Sequence, residues 1–243
     1  MYFKYCLILF FIGFQGFAQQ PTKDQIQFPF DQLIKVRETT LDSSTQALDY
    51  KTRLFYLLVN SKDNSYYATL THLDSLQSQL KFFLFESVAT KVNVVGAYFL
   101  KAEFININCE GIYSYKYFYR NGSKLKYYDS KILNDTIINN KIYGKYVIKN
   151  MKTKRGRKEK SWSYYYIIDK SKPALPFLNN NITYSVYKKN PQIPKGKLVQ
   201  EVYVTQGLVV KKETFSEPII IDKKLLIDKS CDYYKYILKM QGY

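Results

Sequence analysis

His72 is the only histidine in the chain, so zinc sites built from two or three imidazoles and HExxH-type hydrolases are excluded at once. It stands in Thr71-His72-Leu73-Asp74, at a predicted strand end, with no partner at a recognisable spacing. A structural histidine is the expectation there. Hydroxyls are plentiful, yet there is no G-x-S-x-G elbow, no P-loop and no G-x-G-x-x-G following a strand. The 20 carboxylates are scattered singly, often near lysines, as at Asp63, Glu103, Asp169, Asp222 and Asp228, which is the pattern of solvated turns and strand ends. A glycosidase-type carboxylate pair meets in space and needs no sequence spacing, so that chemistry stands as an alternative. No Asp-x-Asp-x-Asp-Gly loop offers converging oxygens to calcium. No metal or cofactor is expected, and no catalytic residue is assigned.

Three other residue sets carry possible function. Residues 149–160 place seven cations (Lys149, Lys152, Lys154, Arg155, Arg157, Lys158 and Lys160) against the single acid Glu159. Between two predicted strands this is a projecting hairpin tip, either simply solvated or drawn to anionic lipid headgroups, acidic polysaccharide or nucleic acid. Tyr113, Tyr115, Tyr117 and Tyr119 recur with period two and form one face of a strand, either half-covered by solvent or serving as an aromatic wall for an apolar or sugar ligand. Cys109 and Cys231 admit two readings: a bridge tying the end of the chain to the sheet, or two separately buried thiols. Neither has the Cys-x-x-Cys setting of a redox catalyst.

Residues 1–18 (MYFKYCLILFFIGFQGFA) combine Lys4, a ten-residue apolar run and the small residues Gly16 and Ala18 ahead of Gln19. This is the order of a secretory signal peptide cut between Ala18 and Gln19, and the run is too short for the roughly 20 apolar residues of a membrane span. The mature chain is therefore expected in a periplasm or outside the cell, without a transmembrane helix. Export also overrides the superficial likeness of residues 149–160 to a nuclear-localisation run. The formal charge of +17 is a weak pointer to polyanions, because only five of the 37 cations are Arg and no recognition motif accompanies them. Nucleic acid is an unlikely partner on this reading.

The elements that must position these residues are mostly strands. Residues 54–60 and 66–73 flank Lys62-Asp63-Asn64-Ser65 as a hairpin, and Phe104-Ile105-Asn106-Ile107-Asn108 closes a strand read over 97–109. Asn121-Gly122 suits a type I′ turn after the tyrosine strand. Further strands are read at 136–149, 161–168, 199–205 and 218–227. Leu80, Phe82 and Leu84 favour strand over helix because of their β-rich flanks. Asp232 followed by Tyr233, Tyr236, Ile237 and Met240 predicts a short C-terminal helix.

With 46% hydrophobic residues, 25 Tyr and 16 Phe, the chain can bury a core, and no repeat or linker divides it. The organisation read is a signal peptide (1–18), an extended lead-in (19–31) and one β-rich domain (32–243). The fold class is mainly β, an antiparallel curved sheet, half-barrel or sandwich with a short C-terminal helix. The function expected is that of an exported, non-catalytic domain of a bacterial envelope, binding an apolar or amphipathic ligand or an anionic envelope partner. A secreted hydrolase with a carboxylate pair and an outer-membrane barrel are the alternatives.

Overall fold

A computed structural model describes residues 22–42, 49–73, 77–84, 88–107, 109, 112–114, 128–150, 161–178, 180–190 and 192–231. The expected signal peptide, the expected Asn121-Gly122 turn and the expected C-terminal helix lie outside these residues. Among the described residues thirteen strands run in chain order: β1 (Gln25–Asp42), β2 (Asp49–Asn60), β3 (Asp63–Thr71), β4 (Ser78–Leu84), β5 (Val88–Val94), β6 (Phe104–Ile107), β7 (Ile112–Ser114), β8 (Tyr128–Ile138), β9 (Lys141–Asn150), β10 (Trp162–Asp169), β11 (Lys197–Thr205), β12 (Leu208–Phe215) and β13 (Ile219–Asp228). Two helices, α1 (Gly96–Lys101) and α2 (Asn181–Lys189), interrupt them. The strands form one curved, mainly antiparallel sheet in the order β7-β5-β4-β3-β2-β1-β12-β11-β10-β9-β8, with β13 pairing β1 and β6 off that path. Among the described residues β7 and β8 each pair with a single neighbour, so the sheet is open where a membrane barrel requires closure. No described helix is long and apolar enough to cross a membrane.

The sheet divides at β1. Residues 25–33 pair with β13 and residues 36–40 with β12, while β2 takes the other edge from Gln32 onward. Two successive neighbours on one edge separate β12 from β13 and fork the sheet. The strand starts at Gln25, inside the stretch read as a lead-in, because Ile26, Phe28 and Phe30 alternate with polar residues and find a partner in β13. Pro29 is tolerated there because β2 has not yet joined, so its missing N–H breaks no ladder on that side. A bulge between Phe30 and Gln32 changes the parity of the strand and brings Phe28, Phe30 and Leu33 to the same face. The bulge residue Asp31 accepts hydrogen bonds from the backbone N–H of Ser61 (2.8 Å) and from its hydroxyl, which fixes the β2–β3 turn.

That face is sealed. Leu58, Ala68, Leu70, Leu80 and Phe82 are at most 1% exposed, and Phe28 packs against Tyr66 and Phe82 with ring centroids 5.2 and 4.8 Å apart. Leu225 and Ile227 of β13, Ile105 and Ile107 of β6 and Phe99 of α1 complete the cluster. Residues 97–101, expected as strand, are the helix α1. Phe99 is its buried contact, and the Lys223 ammonium donates to the carbonyls of Leu100 (2.9 Å) and Ala102 (2.7 Å), satisfying groups that a helix end leaves open. β6 and β13 run parallel, and just past their ends a disulfide joins Cys109 to Cys231 with Cα atoms 5.2 Å apart.

The strand read over 136–149 is a hairpin. Asn139 and Asn140 adopt φ of 48° and 61°, the left-handed pair that a tight hairpin turn needs, so Asn-Asn does here what Asn-Gly does more often. α2 was not foreseen between the two proline loops. Asn180 caps it by accepting from the Thr183 N–H at 2.9 Å, and Tyr184 and Val186 bury against β9–β11 on the second face of the sheet.

Candidate functional site

The second face follows from register. Ile34, Val36 and Glu38 of β1 stand opposite Leu57, Phe55 and Arg53 of β2, and Val36 and Glu38 stand opposite Phe215 and Glu213 of β12. Leu57 leads across β3 and β4 to Thr69 and Lys81, and Val59 leads to Tyr67 and Phe83. Above β9–β11 this face is covered by α2. Above β2–β4 and β12 no described helix covers it, and among the described residues a cavity of about 210 Å³ opens there.

Aromatic rings make the apolar part of the wall. Tyr67 and Phe83 stack with centroids 4.8 Å apart, and Phe177 meets Tyr67 edge-on at 5.4 Å and Phe215 at 6.0 Å. Phe177 reaches this position from the 172–178 segment, which crosses the face as a strap. Asn64 donates to the Pro176 carbonyl (2.9 Å), Gly196 N–H to Ala174 (3.0 Å) and Lys197 N–H to Lys172 (2.9 Å). Phe55 and Leu57 form the floor and are at most 8% exposed. Burial pushes the Tyr67 phenol well up, so it is neutral and serves as wall.

The other end of the cavity is charged. One cross-strand row runs Arg53, Glu38, Glu213, Glu201, Tyr166, Tyr146 through β2, β1, β12, β11, β10 and β9. Three carboxylates side by side in a ladder repel one another, and none of these is more than 6% exposed. Two cations answer them. Arg53 grips both oxygens of Glu38 through Nε and Nη2, the latter at 3.1 Å, and the Lys211 ammonium lies 3.0 Å from Glu213 and 3.6 Å from Glu201. Burial opposes ionisation of Glu38, but hydrogen bonds from Arg53 and Glu213 and the charges of Arg53 and Lys211 outweigh it and hold the carboxyl below its ordinary value. For Glu213 burial prevails over Lys211 and, with the Glu38 hydrogen bond, pushes the carboxyl up. Of the two, Glu213 holds a proton more readily and Glu38 stays ionised more readily. Burial disfavours the charged form of Lys211, yet Glu201 and Glu213 more than compensate and raise its pKa. The row ends in Tyr166 and Tyr146, stacked at 4.7 Å, whose phenols burial drives well up.

None of the residues singled out from sequence lines this cavity. Lys149 is exposed at the end of β9, opposite Ser163 of β10, while Lys152, Lys154, Arg155, Arg157, Lys158 and Lys160 lie outside the described residues. Tyr113 is in β7, in register with Ala89, and Tyr115, Tyr117 and Tyr119 are outside. His72 is exposed with φ of 56°, and its carbonyl accepts the Ser78 hydroxyl, a turn-forming role at the end of β3. Glu38, Glu201 and Glu213 were missed among the scattered acids. Their signal was an acid on the inward parity of an otherwise apolar strand, as in Val36-x-Glu38 and Glu213-x-Phe215. It becomes visible only once the register is known.

No family model matches the chain, and no curated protein does. Two crystal structures are similar. A LolA-superfamily protein from Nitrosomonas europaea shares 12% identity at a TM-score of 0.27, over 80% of this chain and 88% of its own. A domain from Vibrio parahaemolyticus, described as an outer membrane lipoprotein-sorting protein, shares 12% identity at a TM-score of 0.29, over 86% of this chain and 92% of its own. Both lie below the similarity at which a shared function follows.

Proposed function

We propose that this protein is a non-catalytic carrier or receptor of the exported compartment that its N-terminal segment implies, and that it holds one apolar or amphipathic molecule in the cavity over β2–β4. The observation that carries this reading is the cavity itself: an aromatic wall that the described residues leave open on a sheet whose opposite face they seal. At about 210 Å³ it is smaller than the roughly 300–1,000 Å³ of drug-sized sites, which suits a single chain or ring more than a many-chained lipid. The glutamates do not favour hydrolysis. Glu38 and Glu213 bond directly to each other, and Arg53 and Lys211 occupy their remaining faces, whereas a glycosidase pair stands apart on either side of the scissile bond. The test is binding of an environment-sensitive apolar dye, compared between wild type and Thr69→Trp, which fills the cavity from β3. Saturable binding lost in the variant supports the reading, and binding absent from both or equal in both overturns it.

An anionic surface as a second partner is favoured by topology. The strands that flank the basic run in sequence, β9 and β10, pair antiparallel, and Trp162 N–H donates to Asn150 Oδ1 at 2.8 Å where they meet it. Combining Lys154→Ser, Arg155→Ser, Arg157→Ser and Lys158→Ser should weaken co-sedimentation with anionic vesicles by roughly two to three decades, at about 1 kcal/mol per cation. Binding indifferent to salt and to these substitutions would leave the run a solvated turn.

A further inference from the structure

We infer that the ligand of this cavity carries a single anionic head, which Lys81 receives. The inference rests on the carrier reading above and specifies its chemistry. The charges lining the cavity are Glu38, Arg53, Lys81, Lys211 and Glu213. Three of them belong to the row already described, and Lys211 is the cation that answers it. Arg53 is spent on Glu38 and Lys211 on Glu213 and Glu201, so both cations are already engaged by carboxylates. Lys81 stands outside this arrangement. Among the described residues it has no carboxylate partner, and it sits on β4 two positions from Phe83 on the cavity parity.

Thr69 is its direct neighbour in register across β3 and also lines the cavity, and its hydroxyl has no hydrogen-bond partner among the described residues. Thr71, by contrast, is committed to the backbone of Gln79, accepting from its N–H at 3.3 Å and reaching its carbonyl at 3.4 Å. An uncompensated ammonium and an available hydroxyl therefore sit side by side at the edge of an aromatic wall. The long apolar stem of a lysine lies along such a wall while its head stays at the wet end. A cation is not favoured, because every inward carboxylate already has a hydrogen-bonded or ion-paired partner. The occupant that matches is an amphiphile with one alkyl chain against Tyr67, Phe83 and Phe177 and a carboxylate or phosphate monoester on Lys81 and Thr69.

The probes are decanoate, decyl phosphate, decanol and decyltrimethylammonium, titrated against wild type, Lys81→Met and Lys81→Arg. Decanoate or decyl phosphate should bind wild type about tenfold more tightly than decanol, the scale of one charged hydrogen bond, and which of the two leads identifies the head. Lys81→Met should remove that advantage and leave decanol unchanged, which also reports an intact fold, and Lys81→Arg should restore it. Equal affinity for decanol and the anions, an equal loss of both in Lys81→Met, or preference for the trimethylammonium probe overturns the anionic head while leaving the carrier reading in place. Binding of none of the four overturns both.

Discussion

Strands β2, β3 and β4 present two unlike faces from one stretch of chain. On one, Leu58, Ala68, Leu70, Leu80 and Phe82 are closed off beneath β13, β6 and α1. On the other, the alternate residues Arg53, Phe55, Leu57, Tyr67, Thr69, Lys81 and Phe83 look into a cavity. The difference is not simply hydrophobicity, since both faces are aromatic. What separates them is that every charged side chain set into the apolar runs of these strands falls on the cavity parity, whereas the buried hydroxyls on the sealed parity, those of Tyr66 and Ser78, are spent on the carbonyls of Pro29 and His72. Period two converts a polar residue every few positions into a sidedness, and sidedness decides which face another layer can cover without stranding a polar group.

Opening the covered face should have the largest effect. Replacing Cys109 and Cys231 by serine removes the link between β6 and β13. With 122 positions between the cysteines, loop-closure entropy gives a loss of about 4–5 kcal/mol, read as a shift in the urea midpoint. An unchanged midpoint would show that packing alone holds the cover. Phe82→Ala and its neighbour Phe83→Ala form the most direct contrast. The first should cost about 3–5 kcal/mol and spare dye binding per folded molecule. The second should cost about half as much and abolish binding. Equal costs, or binding lost in both, would mean that the faces are not independent.

Within the cavity, Arg53→Met leaves the Glu38 carboxylate without its principal partner and should cost about 2 kcal/mol, below the 3–5 of a fully buried pair because the Arg53 side chain is 66% exposed. The smallest effect concerns the paired carboxyls of Glu38 and Glu213. Glu213 has its pKa raised by folding, so its contribution is complete below the ordinary carboxyl value and is lost as pH rises through the folded one. Glu38 has its pKa lowered, so its contribution is present above the ordinary value and lost as pH falls through the folded one. Wild type should therefore lose stability on both sides. Glu213→Gln, an uncharged mimic of the protonated acid, should flatten the alkaline limb alone and change stability near pH 5 by under about 1 kcal/mol. An alkaline limb that persists in the variant would assign that limb to another group.

The class of fold was legible because strands announce themselves locally. Leu80-x-Phe82-x-Leu84 reads as one face of a strand whatever lies next to it, and that strand is β4. Short helices gave weaker signals. α1 is a turn and a half around one buried ring, too short for a 3.6-residue period to show, and α2 declares itself mainly through its Asn180 cap. The site was illegible for a different reason. Glu38, Glu201 and Glu213 lie as far as 175 positions apart, and what joins them is ladder register, which no spacing along the chain encodes. The sequence features that stood out, a basic run and a tyrosine stripe, did so by density. The residues that line the cavity are dispersed.

The forked strand β1 has a consequence for how the molecule assembles. It precedes every other described strand, yet Gln25 pairs with Asp228 and Val36 with Phe215, some 180 to 200 positions later. Until those partners arrive β1 can rest only on its hairpin neighbour β2, and the aromatic floor lacks Phe215. Contacts of such separation close slowly because the loop entropy is spent before they form. A chain emerging from its N-terminus therefore stays incompletely folded until nearly all of it is present. That order leaves the long edge of β1 exposed to pairing with other chains for most of the wait.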